Sequence, residues 1–210
     1  MIDSYLEKEI FKYNVSRETL DKLIHFSEIL MEWNKKMNLV SKNSIQDVWQ
    51  RHILDSLQLV DYIPREAGNI VDIGSGAGFP AIVLSIVLQE RVKTQLTLVE
   101  SITKKTVYLN DVAQKLGLKN VKVINSRVEN TKLKDAEVIT ARAVAALDTL
   151  LGYQYKIGNN KTIGLYLKGK SYADELDAAK KKWIFACDEY ENEYSQGGVI
   201  LQISALRRKK

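Results

Sequence analysis

The sequence is poor in cysteine and histidine. It contains one cysteine, Cys187, and this excludes a disulfide bond within the chain. Two histidines and one cysteine offer few nitrogen and sulfur ligands for a tightly held zinc ion, so we expect no metal site. A chain without disulfides is typical of the reducing cytoplasm, which is where we expect this protein.

Long apolar runs and targeting signals are also missing. No apolar run approaches the roughly 20 residues that a membrane-spanning helix needs. The first eight residues, MIDSYLEK, do not resemble a secretory signal peptide. We therefore expect no membrane association. We also find no internal repeat and no low-complexity segment, and the working expectation for the assembly state is a monomer.

The charge balance is mildly basic. There are 31 Lys and Arg residues against 26 Asp and Glu residues, a net charge of +5. Part of this excess is clustered at residues 180–182 and 207–210. Such a balance permits a nucleic-acid partner without requiring one, because basic clusters attract phosphates but are also common on solvated surfaces.

Residues 69–84, NIVDIGSGAGFPAIVL, have the pattern strand, glycine loop, helix. Gly74, Gly76 and Gly78 let a ligand approach the backbone closely, because glycine has no side chain. The free N–H groups and positive dipole end of the following helix favour anionic or carboxylate groups. A tight turn without a ligand would need one glycine; three glycines preceded by Asp72 favour a ligand-binding loop.

The glycine spacing separates two ligand classes. A dinucleotide-binding loop has the pattern GxGxxG. Here the pattern is DxGxGxG, which disfavours a nicotinamide oxidoreductase. It is similar to the first motif of the class I S-adenosylmethionine methyltransferases, whose loop surrounds the methionine end of the cofactor. This resemblance implies S-adenosyl-L-methionine as the cofactor.

The first sixty residues are predicted to be helical. Ser16 is a suitable N-cap for a helix whose apolar stripe extends from Leu20 to Met31. Ser44 is a candidate cap for the next helix, and residues 33–44 between them have the composition of a loop. We assign residues 1–66 to a helical extension packed on a core of residues 67–210.

Strands and helices alternate after the glycine loop, which predicts an α/β fold with a mostly parallel, doubly wound sheet. Gly197 and Gly198 indicate a closing antiparallel hairpin. Seven strands in this order are typical of the Rossmann-like class I methyltransferases. The predicted strands after the first are 95–99, 120–124, 136–140, 162–167, 183–194 and 199–204, and the predicted helices are 102–116, 144–156 and 172–182.

Two acids and one histidine are further candidates. Glu100 ends the second predicted strand, where a carboxylate accepts hydrogen bonds from both ribose hydroxyls; its alternative role is to cap the helix near Ile102. Asp55 and Ser56 are one helical turn beyond His52 and within reach of its imidazole. These three form either a local cluster that anchors the extension or a polar patch facing the cofactor or RNA.

Six ordered blocks make the resemblance narrower. The chain resembles the bacterial 16S ribosomal RNA guanine-N7 methyltransferase G family, once called glucose-inhibited division protein B. The blocks are WNKKMNLV at 33–40, RHILDS at 51–56, VDIGSGAGFP at 71–80, SRVE at 126–129, TARAVA at 140–145 and LKG at 167–169. They extend over nearly the whole chain and are far more specific than the glycine motif alone.

The resemblance implies methylation of guanine N7 in the 16S RNA of the small ribosomal subunit. Arg142 is then the candidate catalytic residue, orienting the cofactor or the guanine; its alternative role is a salt bridge at a strand end. Asn38, His52 and Lys168 are weaker candidates for RNA contact. The implied cofactor contacts are Gly74, Phe79, Val128, Glu129 and Arg142, beside Asp72, Gly76, Gly78 and Glu100 from the motif itself.

Two other functions fit the residue patterns. One is a methyltransferase that acts on an acceptor other than RNA, because one fold supports many acceptors. The other is a non-catalytic module that binds RNA or the ribosome and keeps a vestigial cofactor loop.

Overall fold

A computed structural model of the protein describes residues 2–209, so Lys210 of the basic tail lies outside it. Within this range the chain forms one seven-stranded sheet, as predicted. The strands are β1 Asn69–Ile73, β2 Gln95–Glu100, β3 Val121–Asn125, β4 Ala136–Arg142, β5 Gly158–Lys168, β6 Trp183–Glu191 and β7 Val199–Arg208. The α-helices are α1 Ser4–Phe11, α2 Arg17–Asn34, α3 Lys42–Gln46, α4 Asp55–Leu57, α5 Ala81–Leu88, α6 Thr103–Lys115, α7 Leu147–Ile157 and α8 Tyr172–Lys180.

The strand order is β3-β2-β1-β4-β5-β7-β6. Strands β1 to β5 are parallel, whereas β7 pairs antiparallel with β5 and β6. The predicted parallel sheet and antiparallel hairpin are therefore confirmed. The order reverses between β1 and β4, and ligands on such sheets bind beyond the carboxyl ends of the strands near this reversal.

Alternation of side chains along β1 divides the core into two layers. Ile70 faces the layer built with the extension, α5 and α6, whereas Val71 faces the layer built with α7 and α8. The first layer is continuous from Ile10 in α1 to Ile200 in β7. The extension therefore completes one face of the sheet, because it buries apolar side chains that the sheet and α5 expose.

The caps of the first helices agree in part with the prediction. The Ser16 hydroxyl accepts a hydrogen bond from the Thr19 amide at 3.1 Å and caps α2, as expected. Ser41, not Ser44, caps α3, because its hydroxyl accepts from the Ser44 amide at 3.2 Å. The apolar stripe predicts an inward-facing Met31, but this side chain is exposed, because the helix turns it away from the core.

The chain from residue 49 to residue 62 is helical but irregular. A π-helical segment, Trp49–Leu54, leads into the single turn α4, and a 3-10 segment, Gln58–Tyr62, follows. Such irregular turns change which side chains face inward. Here all residues from His52 to Leu59 are buried. A regular α-helix, as predicted from the sequence, would bury only one face of this segment.

Strands β4 and β5 both extend further along the chain than predicted, and this places two candidate residues. Arg142 is the last residue of β4, and Lys168 is the last residue of β5. Both lie at the carboxyl edge of the sheet. Among residues 2–209, no helix combines the length and apolar character needed to cross a membrane.

We predict that the extension and the sheet unfold together. Phe26 of α2 is fully buried, and its ring centroid is 5.3 Å from that of Phe79 after the glycine loop. Phe26→Ala should lower the free energy of unfolding by about 3–5 kcal/mol, because it leaves a cavity. Urea unfolding should be followed by tryptophan fluorescence in two single-tryptophan variants, one keeping Trp33 and the other Trp183. Both should show the same loss in the free energy of unfolding. An unchanged Trp183 transition would contradict this and divide the chain into two units.

Candidate active site

The glycine loop after β1 bends sharply at its three glycines. Gly74, Gly76 and Gly78 have φ angles of 69°, 51° and 91°, which side-chain-bearing residues rarely adopt. A Cβ atom on Gly74 would lie 2.6 Å from a methyl group of Val144, and one on Gly78 would lie 2.7 Å from Ile82. Glycine is therefore required here by backbone conformation, and at Gly74 and Gly78 by space as well.

Asp72, the acid of the motif, lies beneath the loop. It is 1% exposed, and its Oδ1 accepts a hydrogen bond from the Thr140 hydroxyl at 2.6 Å. Within the described residues, Oδ2 has no hydrogen-bond partner. Burial raises the pKa of this carboxyl to about 7, since desolvation disfavours the charged form. In this structure Asp72 links β1 to β4 under the loop and does not reach the surface.

Glu100 connects the loop to the end of β2. One carboxylate oxygen accepts from the Gly76 amide at 3.0 Å, and the other accepts from the Ile102 amide at 2.8 Å, just before α6. The capping role considered for this residue is therefore present in the structure. Glu100 is buried, and because a carboxylate has about four acceptor positions, the two backbone contacts do not use all of them.

A small cleft of about 160 Å³ opens beside the loop. Gly74, Val128 and Glu129 line it, so the structure brings these three predicted residues together. Val128 is buried and Glu129 is exposed, on a short 3-10 turn after β3. Tyr153 of α7 also lines this cleft, and no pattern in the sequence singled it out. The full lining is Ile73, Gly74, Val99, Ser101, Ser126, Arg127, Val128, Glu129, Val144 and Tyr153.

A large cleft of about 1000 Å³ lies at the carboxyl ends of β4 and β5. Arg142 and Lys168 line it from these strands, Arg51 and Asp55 line it from the extension, and residues 191–197 line it from the β6–β7 loop. Glu175 of α8 also lines it, so the two strands, the extension, α8 and the β6–β7 segment build this cleft together.

Arg142 is held by the extension. Its Nε lies 3.0 Å from Oδ2 of Asp55, and its Nη2 donates to the backbone carbonyl of Arg51 at 2.7 Å. Its guanidinium carbon lies 5.9 Å from the ring centroid of Phe79. Nη1 is buried and has no partner among residues 2–209. The salt bridge considered for Arg142 is therefore present, and one nitrogen remains available to a ligand.

Asp55 is the centre of a buried polar network that sequence analysis missed. Its Oδ1 accepts from the Asn192 side-chain amide at 2.6 Å. Gln58 donates to the Asp55 backbone carbonyl and to the Asn192 side-chain oxygen, at 2.9 Å in each case. Asn192 is 137 residues from Asp55 in the chain, so no local spacing could have indicated the contact.

His52 stacks on Phe79 and does not pair with Asp55. The ring centroids are 4.9 Å apart and the planes are 20° from parallel. In the described part of the chain, neither imidazole nitrogen has a hydrogen-bond partner, and Ser56 donates only to the His52 backbone carbonyl. The predicted imidazole contact is therefore wrong, because the irregular helix turns the ring towards Phe79. Burial and the nearby Arg142 and Arg51 lower the pKa of His52 to about 3, so the ring is neutral.

The other two candidates occupy different positions. Lys168 donates to the Ala145 carbonyl at 3.0 Å and forms an ion pair with Glu175 at 2.6 Å, so its ammonium is engaged within the protein. Asn38 is exposed and lines a separate cleft of about 360 Å³ with residues 39–42. No residue of that cleft lines the Arg142 cleft, so the structure does not bring Asn38 into the same site.

No metal-binding arrangement is visible across residues 2–209. Groups of three or more His, Cys, Asp or Glu residues in positions to hold a metal ion do not occur in this range.

Asp72→Asn should change how stability depends on pH. Because the pKa of Asp72 is raised from 3.8 to about 7, the folded protein holds this proton more tightly than the unfolded chain. The resulting contribution to the free energy of unfolding is present below about pH 4 and is lost as the pH rises to about 7. Between these pH values, the wild type should lose on the order of 4 kcal/mol relative to Asp72→Asn in urea unfolding. If the free energies of unfolding of the wild type and Asp72→Asn differ by the same amount at every pH, the raised pKa is contradicted.

Comparison with known proteins identifies the relatives. The model of the family described as rRNA small subunit methyltransferase G matches residues 19–197. A Ruegeria protein named ribosomal RNA small subunit methyltransferase G is 42% identical over 196 residues, covering 93% of this chain and 95% of the relative. A protein of the same name from Rickettsia akari is 41% identical over 194 residues, covering 92% of this chain and 98% of the relative.

Solved structures support the fold. An S-adenosylmethionine-dependent methyltransferase from Aquifex aeolicus superposes with a TM-score of 0.58 at 17% identity, covering 74% of this chain and 91% of that chain. Fibrillarin from Aeropyrum pernix, solved with S-adenosyl-L-methionine, gives a TM-score of 0.54 at 12% identity, covering 67% of this chain and 68% of that chain. The predicted class I methyltransferase fold is thus confirmed. By its match over residues 19–197 and relatives above 40% identity, the chain belongs to the rRNA small subunit methyltransferase G family, as its motifs predicted.

Proposed function

We propose that this protein transfers a methyl group from S-adenosyl-L-methionine to N7 of a guanine in the 16S RNA of the small ribosomal subunit. One observation carries the proposal from the structure. The neighbouring residues Ala143 and Val144 line different clefts, the first the large cleft and the second the small cleft. A methyl donor in the small cleft and a nucleotide in the large cleft would therefore meet beside Arg142.

The residues around the small cleft fit the cofactor. The glycine loop, which has no side chains at Gly74, Gly76 and Gly78, allows close approach of the methionine part, and Asp72 supports it from below. Glu100 keeps free acceptor positions for the ribose hydroxyls. The remaining cofactor contacts in the proposal are Gly74, Gly76 and Gly78 through their backbone, Phe79 beside the loop, Val128 against the adenine face, Glu129 at the adenine edge and Arg142.

The chemistry requires positioning more than proton transfer. When bound, S-adenosyl-L-methionine supplies a methyl group on a sulfonium sulfur. Guanine N7 has an in-plane lone pair, so no base has to remove a proton before it attacks. The side chains of the site then have two tasks, which are to hold N7 in line with the methyl group and to exclude water. A buried neutral His52 and a buried Phe79 suit the second task.

Arg142 is proposed to orient the guanine. Its Nη1 is a buried donor without a partner among residues 2–209, and guanine O6 is an acceptor of the kind that arginine binds. O6 is the suitable acceptor in this reaction, because N7 must keep its lone pair for the methyl group. Lys168, His52 and Asn38 stay proposed RNA contacts, and Lys168 would have to leave Glu175 to make one.

The rest of the setting follows from the acceptor. The bacterial small subunit is assembled and used in the cytoplasm, so the proposal places the reaction there. We propose a monomer as the active form. Basic side chains at residues 180–182 and 207–209 would add attraction to RNA phosphates.

Gly74→Ala should weaken binding of S-adenosyl-L-methionine more than tenfold. The new methyl group would collide with Val144 at 2.6 Å in the small cleft. Gly117→Ala is the matched control, because Gly117 also has a positive φ, 62°, but a Cβ atom there meets nothing within 4 Å. Titration calorimetry of both variants measures the effect. Equal affinities for the two variants would remove Gly74 from the cofactor site.

Methyl transfer should be observed from labelled S-adenosyl-L-methionine to small subunits that lack this modification, with naked 16S RNA tested alongside. The label should map to an N7-methylguanine. Arg142→Ala should abolish transfer while leaving the fold intact. Because this change leaves the buried Asp55 carboxylate without its cationic partner, urea unfolding must show that the variant is still folded under the assay conditions.

The results separate the proposal from its alternatives. Cofactor binding without transfer to either RNA substrate would indicate an acceptor other than this RNA. Neither binding nor transfer would indicate a non-catalytic module with a vestigial loop. Full transfer by folded Arg142→Ala would remove this residue from the reaction.

A further inference from the structure

Some of the buried polar groups around Arg142 have hydrogen-bond partners and others have none. On one side, Asp55, Gln58 and Asn192 form a closed network in which each side chain has hydrogen-bond partners. On the other side, Arg142 Nη1 and both His52 ring nitrogens are buried and have no partner in the described part of the chain. Buried polar groups are nearly always paired in proteins, so unpaired ones at a cleft point to a functional constraint.

The paired side of the network restricts the guanidinium. Arg142 Nε contacts Asp55 Oδ2 at 3.0 Å, and Nη2 donates to the Arg51 carbonyl at 2.7 Å. Because the guanidinium is planar, two contacts on different nitrogens fix the position of the third nitrogen, Nη1. Arg142 alone, at the end of a strand with four rotatable side-chain bonds, would not hold Nη1 in one place.

Asp55 is itself held from two directions. Its side chain is only 4% exposed, and its Oδ1 accepts from Asn192 in the segment after β6 at 2.6 Å. Asn192 in turn accepts from Gln58 at 2.9 Å and from the Tyr194 amide at 3.0 Å. The carboxylate therefore has a fixed orientation, with one oxygen assigned to Asn192 and the other to Arg142.

We propose that Asp55 is a positioning residue for methyl transfer, which fixes the Arg142 guanidinium so that Nη1 is presented to the acceptor base. This inference deepens the proposed function and depends on it for its catalytic part. It assigns the RHILDS block a role in the reaction through its aspartate. It also makes the segment after β6 part of the active site, because Asn192 orients Asp55.

The kinetic test is a double-mutant cycle of Asp55→Asn and Arg142→Lys. Asp55→Asn keeps the side-chain shape but removes the negative charge that pairs with the Arg142 guanidinium. It should lower kcat by about tenfold to a hundredfold, as expected for a misplaced orienting group, with a much smaller effect on the affinity for S-adenosyl-L-methionine. In the Arg142→Lys background the same change should alter kcat less than twofold, since lysine has no planar guanidinium for Asp55 to orient.

Thr94→Val is the control for a loss of stability alone. Thr94 is buried at the amino end of β2 and donates to the Ala67 carbonyl at 2.8 Å, so its replacement breaks a buried hydrogen bond at the opposite edge of the sheet. This variant should lose stability but keep kcat. Equal effects of Asp55→Asn with and without Arg142 would overturn the proposal. If Asp55→Asn does not fold, Asn192→Ala replaces it in the cycle, with a smaller loss of kcat expected.

A readout without activity separates this inference from the proposed function. The Nε–H signal of Arg142 in a nitrogen-15 NMR spectrum, assigned by its loss in Arg142→Lys, should be protected from solvent exchange in the wild type. It should exchange rapidly in Asp55→Asn. Persistence of the protected signal would overturn the positioning role even if the enzyme is active. A protected signal in a wild type that transfers no methyl group would contradict the proposed function and leave the positioning intact.

Discussion

Five parallel strands end at one edge of the sheet, and the rest of the site depends on this constraint. Parallel register places Asp72 of β1 beside Thr140 of β4, where a hydrogen bond joins the two strands under the glycine loop. The same register brings Glu100 next to Gly76. Since chain direction is common to all five strands, the loops that follow them converge on one side, and side chains distant in sequence come together there.

The helical extension contributes more than a cover for the sheet. Phe26 and His52 both pack on Phe79, at the end of the glycine loop, and Asp55 pairs with Arg142. The loop is thus enclosed by the sheet on one side and by the extension on the other. A deletion of the extension would remove apolar burial and expose a cleft that methyl transfer requires to be dry.

Buried carboxyl groups mark the points where the site is assembled. Asp72 joins two strands, Glu100 joins the loop to α6, and Asp55 joins the extension to β4. Burial raises the pKa of Asp55 and of Asp72, and at Asp55 the charge of Arg142 opposes the rise. Charges are costly to bury without partners, so each of these contacts restricts how the neighbouring segment can be placed.

The sequence by itself determined the strand–loop–helix unit, the alternation of strands and helices, the antiparallel hairpin and the family, because these depend on local periodicity, glycine spacing and short motifs. It also placed Glu100 at the end of the second strand and Arg142 just beyond the fourth. Only the tertiary structure decided that Ser41 caps α3, that His52 stacks on Phe79, and that Asp55 accepts a hydrogen bond from Asn192. Helix irregularity and contacts across more than a hundred residues arise from packing, which no local pattern records.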